Sequence, residues 1–350
     1  MHQARGVLAV DIGSGTQDIL CWFEGDLIEN AAKMVMPSPT RLVAQQLRAF
    51  REKRQDVFLM GRTMGGGASS REVLLHLEAG LKVYASPEAA LTIHDDLARV
   101  QAMGVTITER APHGVSSIFL RDLDLDRIGN ALALFGVPLP DTVAVAVQDH
   151  GFSPNESNRL FRFRYWKEFL DRGGDLRTLV QELPPPFMTR MHAVRVDCPQ
   201  ALILDTGIAA ILGALMDSRG RQAMTHGCTL VNVGNSHTIA ALVHDLHVLG
   251  IYEHHTGRLN PSKLFDHLNR FRQGRLEHEE VFQDGGHGCA YGPQPLKASF
   301  EATLVTGPRR RRFFSHESVF AAPFGDMMLT GCFGLLQAAM WAHGFREVLA

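Results

Sequence analysis

Cysteine is scarce in this 350-residue sequence, with only Cys21, Cys198, Cys228, Cys289 and Cys332, all far apart. An odd, scattered set does not make a disulfide framework; it fits free thiols in a reducing compartment, so a cytoplasmic location is expected. No CxxC or CxxxCxxC spacing occurs, which argues against an iron–sulfur cluster held by closely spaced cysteines. Long apolar runs are also missing. No uncharged stretch approaches the ~18 residues of a membrane helix, and Met1 to Leu8 carries no apolar leader core. Neither sign of charge dominates, with 35 basic and 37 acidic residues for a formal net charge of −2. A general affinity for nucleic acid or for an anionic membrane is therefore not expected. What remains is an ordinary globular composition, 45% hydrophobic and 21% charged. The length is about twice the ~150-residue prior for one domain, so two domains are expected.

The patterning is that of an α/β protein. Val7 to Asp11 reads as a short buried strand, Gly13 to Thr16 as a small-residue turn, and Ile19 to Phe23 as a second strand. Glu24-Gly25-Asp26 is a turn signal before a third strand starting at Leu27-Ile28. The pattern returns later: Leu230 to Val233, the turn Gly234-Asn235-Ser236, an apolar run to Val243, and a third strand at Val248 to Tyr252. Two such meanders, at 7–30 and 229–252, are an internal repeat of one supersecondary unit. Between and beyond them, helices are expected at Arg41–Arg54, Pro87–Met103, Glu156–Leu170, Ile208–Met216 and Pro261–Phe271, with strands at Asp56–Met60, Thr106–Glu109 and Val143–Val147. Ser69 and Glu72 have capping-box spacing before a helix over Val73–Leu81. Asp217 to Thr225 reads as a polar loop, and Met327 to Gly334 as strand, glycine turn and helix start.

A turn such as Gly13-Ser14-Gly15-Thr16 offers unobstructed backbone N–H groups and two hydroxyls, the donors that phosphate oxygens need at close range. Asp11 at the strand end could hold a hydrated Mg²⁺, and Gly234-Asn235-Ser236 could close on the same phosphates from the other side. Phosphoryl transfer needs mainly positioning and charge neutralisation, which two opposed donor loops and a metal would supply.

These motifs resemble those of the actin, sugar-kinase and heat-shock-chaperone ATPase superfamily. Asp11-Ile-Gly-Ser-Gly-Thr16 matches its first phosphate motif, and Asn232-Val-Gly-Asn-Ser236 its second, with Asn where many members have Asp. Leu204 to Ile211 resembles its connecting helix, Leu329 to Gly334 its glycine-rich adenosine motif, and Val143 to Leu160 the strand and helix that come before the connecting helix. The elements occur in family order over almost the whole chain. The resemblance implies two ribonuclease-H-like domains, 1–206 with insertions and 207–350, the C-terminal helix packing back on the first. ATP and Mg²⁺ would lie in the cleft between them. It also implies Asp11 on the metal, Gly13, Ser14, Gly15, Thr16, Gly234, Asn235 and Ser236 on phosphates, and Gly331 and Gly334 under the adenosine. By position, Asp205 would be a catalytic base and Asp149 a metal-side carboxylate; the ordinary role of either is turn formation or helix capping. Within the superfamily the chain resembles a prokaryotic family labelled pyruvate formate-lyase activating protein, although a radical-SAM activating enzyme needs the CxxxCxxC absent here.

Seventeen histidines invite a second reading. Glu253, His254 and His255, expected just after the third strand of the second meander, could meet a substrate together with His150. His287 in its glycine turn could join a metal, but no HExxH or clustered Cys/His spacing supports zinc. Structural or solvent-facing roles are the ordinary expectation for these groups. Gly65-Gly66-Gly67 could seat an anion on the following helix, and Arg309 to Arg312 reads as a solvated basic turn, with a phosphate clamp as the sharper alternative. The expected function is an ATP-dependent small-molecule kinase or ATPase; a homodimer is left open. The alternatives are a nucleotide-gated regulatory protein, a degenerate binder in which Asn232 replaces the acid, and a SAM-dependent methyltransferase. The last requires a helix directly after Thr16.

Overall fold

The computed structural model describes residues 5–181, 183–315 and 318–346. Its strands in chain order are β1 (Gly6–Ile12), β2 (Thr16–Phe23), β3 (Ala32–Pro37), β4 (Val57–Gly61), β5 (Val83–Ala85), β6 (Val105–Ile107), β7 (Ser116–Leu120) and β8 (Thr142–Val147). There follow β9 (Leu202–Leu204), β10 (Cys228–Val233), β11 (His237–His244), β12 (His247–His255), β13 (Gly288–Tyr291), β14 (Thr303–Thr306) and β15 (Val319–Phe320).

Two of the three sheets repeat one another. The first has the order β3-β2-β1-β8-β9 and the second β13-β12-β11-β10-β14-β15. In each, three antiparallel strands are followed by parallel ones: β8 and β9 continue from β1, as β14 and β15 continue from β10. That is the ribonuclease-H-like strand order, twice, with β13 added at the edge of the second copy. The central strands, GVLAVDI and CTLVNV, are apolar along nearly their whole length because helices cover both faces of each sheet. β2 begins at Thr16, one turn after β1, so a strand stands where a methyltransferase would need a helix.

Between β3 and β8 the chain builds a third sheet, β6-β5-β4-β7, entirely parallel. β5 and β6 are three residues long, too short for a period to be legible. The expected helix at 87–103 is two short ones, Pro87–Ala90 and Leu97–Ala102, because Asp96 caps the second with its side chain. The helix expected at Val73 starts earlier, at Ala68, with Gly67 as its cap residue. Ser69 is therefore inside the helix, and Glu72 pairs with Arg48 and Arg51 instead of closing a capping box. Residues 218–224, expected as loop, form a helix capped by Asp217. The third strand of the first meander begins at Ala32, after a 3₁₀ turn at Ile28–Asn30. No helix of the described residues is long and apolar enough to cross a membrane.

The two halves share a core through one helix crossing. The helix Thr206–Met216 is buried from Gly207 onward, as is most of the C-terminal helix Thr330–His343, and they pack side by side. A Cβ on Gly213 would fall on the Thr330 carbonyl, and one on Gly334 on the Ala209 carbonyl. In an exposed helix Gly→Ala would add up to about 1 kcal/mol of stability. Here Gly213→Ala is expected to destabilise by about 1–3 kcal/mol, the cost of overpacking, read as a lower urea midpoint. An unchanged or raised midpoint would show that the crossing tolerates a methyl group.

Candidate active site

A cavity of about 820 Å³ lies between the repeated sheets, within the ~300–1,000 Å³ range of small-molecule sites. The β1–β2 and β10–β11 turns meet at it. Each is closed by the same bond: Gly13 N–H donates to Thr16 O and Gly234 N–H to His237 O, both at 2.9 Å. The residue after the third strand secures each turn. Ser38 N–H donates to Gly15 O at 3.3 Å, and Thr256 N–H to Ser236 O at 2.8 Å. Further donors are Ser38 Oγ to Ser14 O, Arg41 to Gly15 O and Thr256 Oγ1 to Gly234 O, so carbonyls that would repel a phosphate are already engaged. Ser14 Oγ and Ser236 Oγ stand 2.7 Å apart, and a Cβ on Gly15 would run into the Asn235 amide. All seven phosphate-motif residues named above, Gly13 to Thr16 and Gly234 to Ser236, belong to these two touching turns, and the cavity reaches all but Gly15.

Below the first turn sits a pair of carboxylates. The antiparallel register sets Asp11 opposite Asp18, and Oδ1 of each is buried without a hydrogen-bond partner. Burial, then the charges of Asp18 and Asp205, push the Asp11 carboxyl well above its usual range. Burial pushes Asp18 up to about 7, against the Thr16 hydroxyl, with Asp326 adding to the rise. Asp11 also leans on the start of the C-terminal helix, where a Cβ on Gly331 would fall inside its carboxylate. Two orphaned carboxylate oxygens beside two phosphate-sized donor turns are a donor set that fits a hydrated Mg²⁺, a hard cation taking one or two carboxylates plus phosphate oxygens. Asn232, the counterpart of Asp11 in the second half, lines the same cavity.

Asp149 and Asp205, expected as metal-side carboxylate and base, both accept hydrogen bonds from the protein. Asp149 accepts from Gly151 N–H at 2.8 Å and Met191 N–H at 3.0 Å. Asp205 caps the Thr206–Met216 helix through Gly207 N–H at 2.9 Å, and both its oxygens face the Arg162 guanidinium at 2.8 and 3.1 Å. Carboxylates committed in this way hold structure in position. Arg162, 1% exposed, also donates to Glu253 Oε2 at 2.7 Å and to the Asp149 carbonyl at 2.8 Å, and lies over the Trp166 ring. Glu253 accepts from Gln148 Nε2 at 2.5 Å as well. Burial alone would raise the Glu253 carboxyl; Arg162 and the neighbouring imidazoles hold it below its ordinary value. A buried arginine from the helix Asn158–Asp171 thus ties Asp205 to Glu253 of the second sheet.

Other expectations need correction. β12 runs to His255, so Glu253, His254 and His255 are in the strand and not after it. Alternation along a strand sends neighbours to opposite faces. Glu253 faces Arg162 and the cleft, whereas His254, fully buried, faces away and bonds Asp284 at 3.0 Å. His150 lines the cavity; the His255 ring packs behind it, against His237 and His287. Residues 327–329 form no strand, and the helix begins at Thr330. Gly331 therefore supports Asp11 at the cavity wall, and Gly334 lies in the helix crossing, away from the cavity.

The carboxyl end of β14 supplies a loop not singled out in the sequence, Thr306-Gly307-Pro308, on the cavity wall. Gly307 has φ +95°, and a Cβ there would strike Val233 O and Asn232 Oδ1, so the close approach needs glycine. Arg309 to Arg312, just beyond, is outside the cavity; Arg310 lies over Phe320. The opposite wall comes from the third sheet, through Thr63 to Gly67 and Thr92 to Asp96. Asp18 was legible in principle: a four-residue turn from Gly13 to Thr16 pairs position 11 with position 18. Arg162 had a signal too, as a charge inside the aromatic run Phe161 to Trp166.

The family model described as "Putative pyruvate format-lyase activating enzyme (DUF1786)" matches residues 64–312. No curated protein matches the chain. Among solved structures it is similar to the ethanolamine utilization protein EutJ from Carboxydothermus hydrogenoformans at 10% identity, over 94% of this chain and 88% of that one, with a TM-score of 0.26. It is similar also to an exopolyphosphatase-like protein at 9% identity, over 87% and 66% of the two chains, with a TM-score of 0.28. The PPX-GPPA enzyme of Aquifex aeolicus aligns at 10% identity, over 87% and 68%, with a TM-score of 0.23.

Proposed function

The chain belongs to the family described as "Putative pyruvate format-lyase activating enzyme (DUF1786)", and from that premise and the cleft geometry we propose that it binds magnesium ATP and uses it for phosphoryl transfer to a small molecule or for hydrolysis. One observation carries the proposal: two equivalent glycine turns meet over a pair of buried carboxylates, each with one oxygen that has no hydrogen-bond partner. Asp11 and Asp18 would hold the metal, which supplies charge neutralisation at the phosphates. Gly13 to Thr16 and Gly234 to Ser236 would donate to the phosphate oxygens. Units taken as 1–206 and 207–350 would close on the nucleotide and exclude water. Arg162 keeps Asp205 and Glu253 in place at the floor, so Asp205 acts as a positioning residue. The substrate would enter along the wall built from Thr63 to Gly67 and Thr92 to Asp96.

The activation of a radical enzyme that the family's description suggests finds no support in the cysteines. Cys21, Cys228, Cys289 and Cys332 are buried, and burial pushes Cys21 up to about 11 and Cys228 and Cys289 up to about 12. A second reading, a nucleotide-gated accessory protein that binds without phosphorylating, is favoured by Asn232 and by the committed carboxylates of Asp149 and Asp205.

Calorimetry tests the common core of both readings. ATP with Mg²⁺ is expected to give saturable heat with the wild type, and Asp11→Ala is expected to weaken binding at least tenfold, about 1.4 kcal/mol. Equal heats from the two proteins, or none from the wild type, would reject the site. ADP and a phosphorylated product from a metabolite mixture would favour the kinase; closure without product would favour the switch.

A further inference from the structure

Four histidines gather beneath the second turn, and the nucleotide reading uses none of them. His150 follows β8 in the first half, while His237 opens β11, His255 ends β12 and His287 precedes β13 in the second. His237 and His255 are register partners across β11 and β12. The rings of His237, His255 and His287 lie 4.8 Å apart pairwise, and His150 is 5.0 Å from His287 and 5.8 Å from His237. Such packing of polar rings needs a reason, because a buried imidazole nitrogen left unpaired costs about 1–3 kcal/mol. His287 is 1% exposed, and neither of its ring nitrogens has a hydrogen-bond partner; buried His237 Nε2 has none either.

We propose that His150, His237 and His287 form a binding site for a divalent transition metal of the zinc class at the floor of the cleft. One ligand atom from each lies within 4.8 Å of the other two, the juxtaposition a shared ion requires. Three imidazoles suit zinc, cobalt, nickel or copper and not magnesium or calcium, which take oxygen donors. The site is therefore chemically distinct from the Asp11–Asp18 pair. His150 and His237 border the cavity, so a fourth position faces the space where a phosphate, a substrate oxygen or a water would sit. Glu253 Oε1 lies 3.8 Å from His287 Nδ1, placed to orient that ring as carboxylates behind metal-bound histidines do. Burial holds His150, His237 and His287 below the ordinary imidazole range, with neighbouring imidazoles or Arg162 adding to it for His150 and His287. These are the neutral rings that metal binding requires. His150 comes from one half and its partners from the other, so the ion would bridge the halves.

The test uses the full chain, stripped with a chelator and titrated with Co²⁺ or Zn²⁺ in the absence of nucleotide. Its failure would leave the magnesium–ATP reading untouched, because no histidine of this cluster enters that reading. One equivalent of Co²⁺ is expected to bind with the intense visible absorption of a four-coordinate ion, and zinc-edge X-ray absorption is expected to report three imidazole nitrogens. His287→Ala and, as a milder change at a less buried site, His150→Gln are each expected to weaken binding at least tenfold while circular dichroism stays native. The X-ray absorption result stands even if His287→Ala fails to fold. No stoichiometric binding, a first shell of oxygen or sulfur alone, or unchanged affinity in the folded variants would overturn the proposal.

Discussion

Arg162→Met is expected to lower the unfolding free energy by about 3–5 kcal/mol, the usual cost of removing one partner from a buried ion pair. Methionine keeps much of the apolar stem and its contact with Trp166, so the loss would come from charge. Two carboxylates, Asp205 and Glu253, would be left in the interior without the guanidinium that both of them bind. Three further observations separate this from lost packing. The destabilisation should shrink as the pH falls, because protonation removes the orphaned charges. Adding Glu253→Gln should recover part of it, a coupling that a packing defect would not produce. The cleft should also loosen, since the arginine ties the start of the Thr206–Met216 helix to β12 across the halves. Chemical denaturation of the single and double variants at pH 5 and pH 8 measures all of this. A loss under 1 kcal/mol, or one independent of pH, would mean that the pair carries little.

Raising the pH is expected to weaken the metal-free protein and to tighten Mg²⁺ binding, both through Asp18. Its carboxyl stands at about 7 in the fold, against an ordinary value near 3.8. Between those values the folded state binds more protons than the unfolded chain, so stability falls as pH rises. The contribution is fully present below about 4 and lost through about 7. A shift of this size corresponds to at most about 4 kcal/mol. The buried histidines oppose it. His150, His237 and His287 are held below the ordinary imidazole value, so at acid pH the unfolded chain takes up their protons, and their effect makes stability rise with pH up to about 6.5. The Asp18 effect is therefore read as the difference between wild type and Asp18→Asn. Melting curves in EDTA should show the wild type losing ground to Asp18→Asn as pH rises. Magnesium should reverse the order, since the ion takes the place of the proton. A difference that does not vary with pH would remove Asp18 from the proposed metal site.

Some of this protein is settled by local sequence alone. The turns at Gly13 and Gly234 are small and polar between apolar runs, and the β-branched and aromatic residues that follow Gly13 favour a strand on each side of a tight corner over the helix a methyltransferase would need. Seeing that pattern twice was enough to expect two related halves, because each run is central in its sheet and buried on both faces. The Thr206–Met216 helix was legible for the same reason: its apolar character runs without interruption after a capping Asp. Other features depend on residues that the chain brings together from far apart. Arg162 meets Asp205 and Glu253 over 43 and 91 positions, and no local window contains that triad. Gly331 and Gly334 look like a ligand-binding turn until packing shows one under Asp11 and the other in a helix crossing. In the sequence His237 is a lone histidine beside small neighbours. It becomes conspicuous only when β11 and β12 pair and the turn before β13 brings His287 beneath it. Periodicity determines which face of an element is buried; what that face meets is decided by how the sheets and helices stack, and there the charges and imidazoles find their partners.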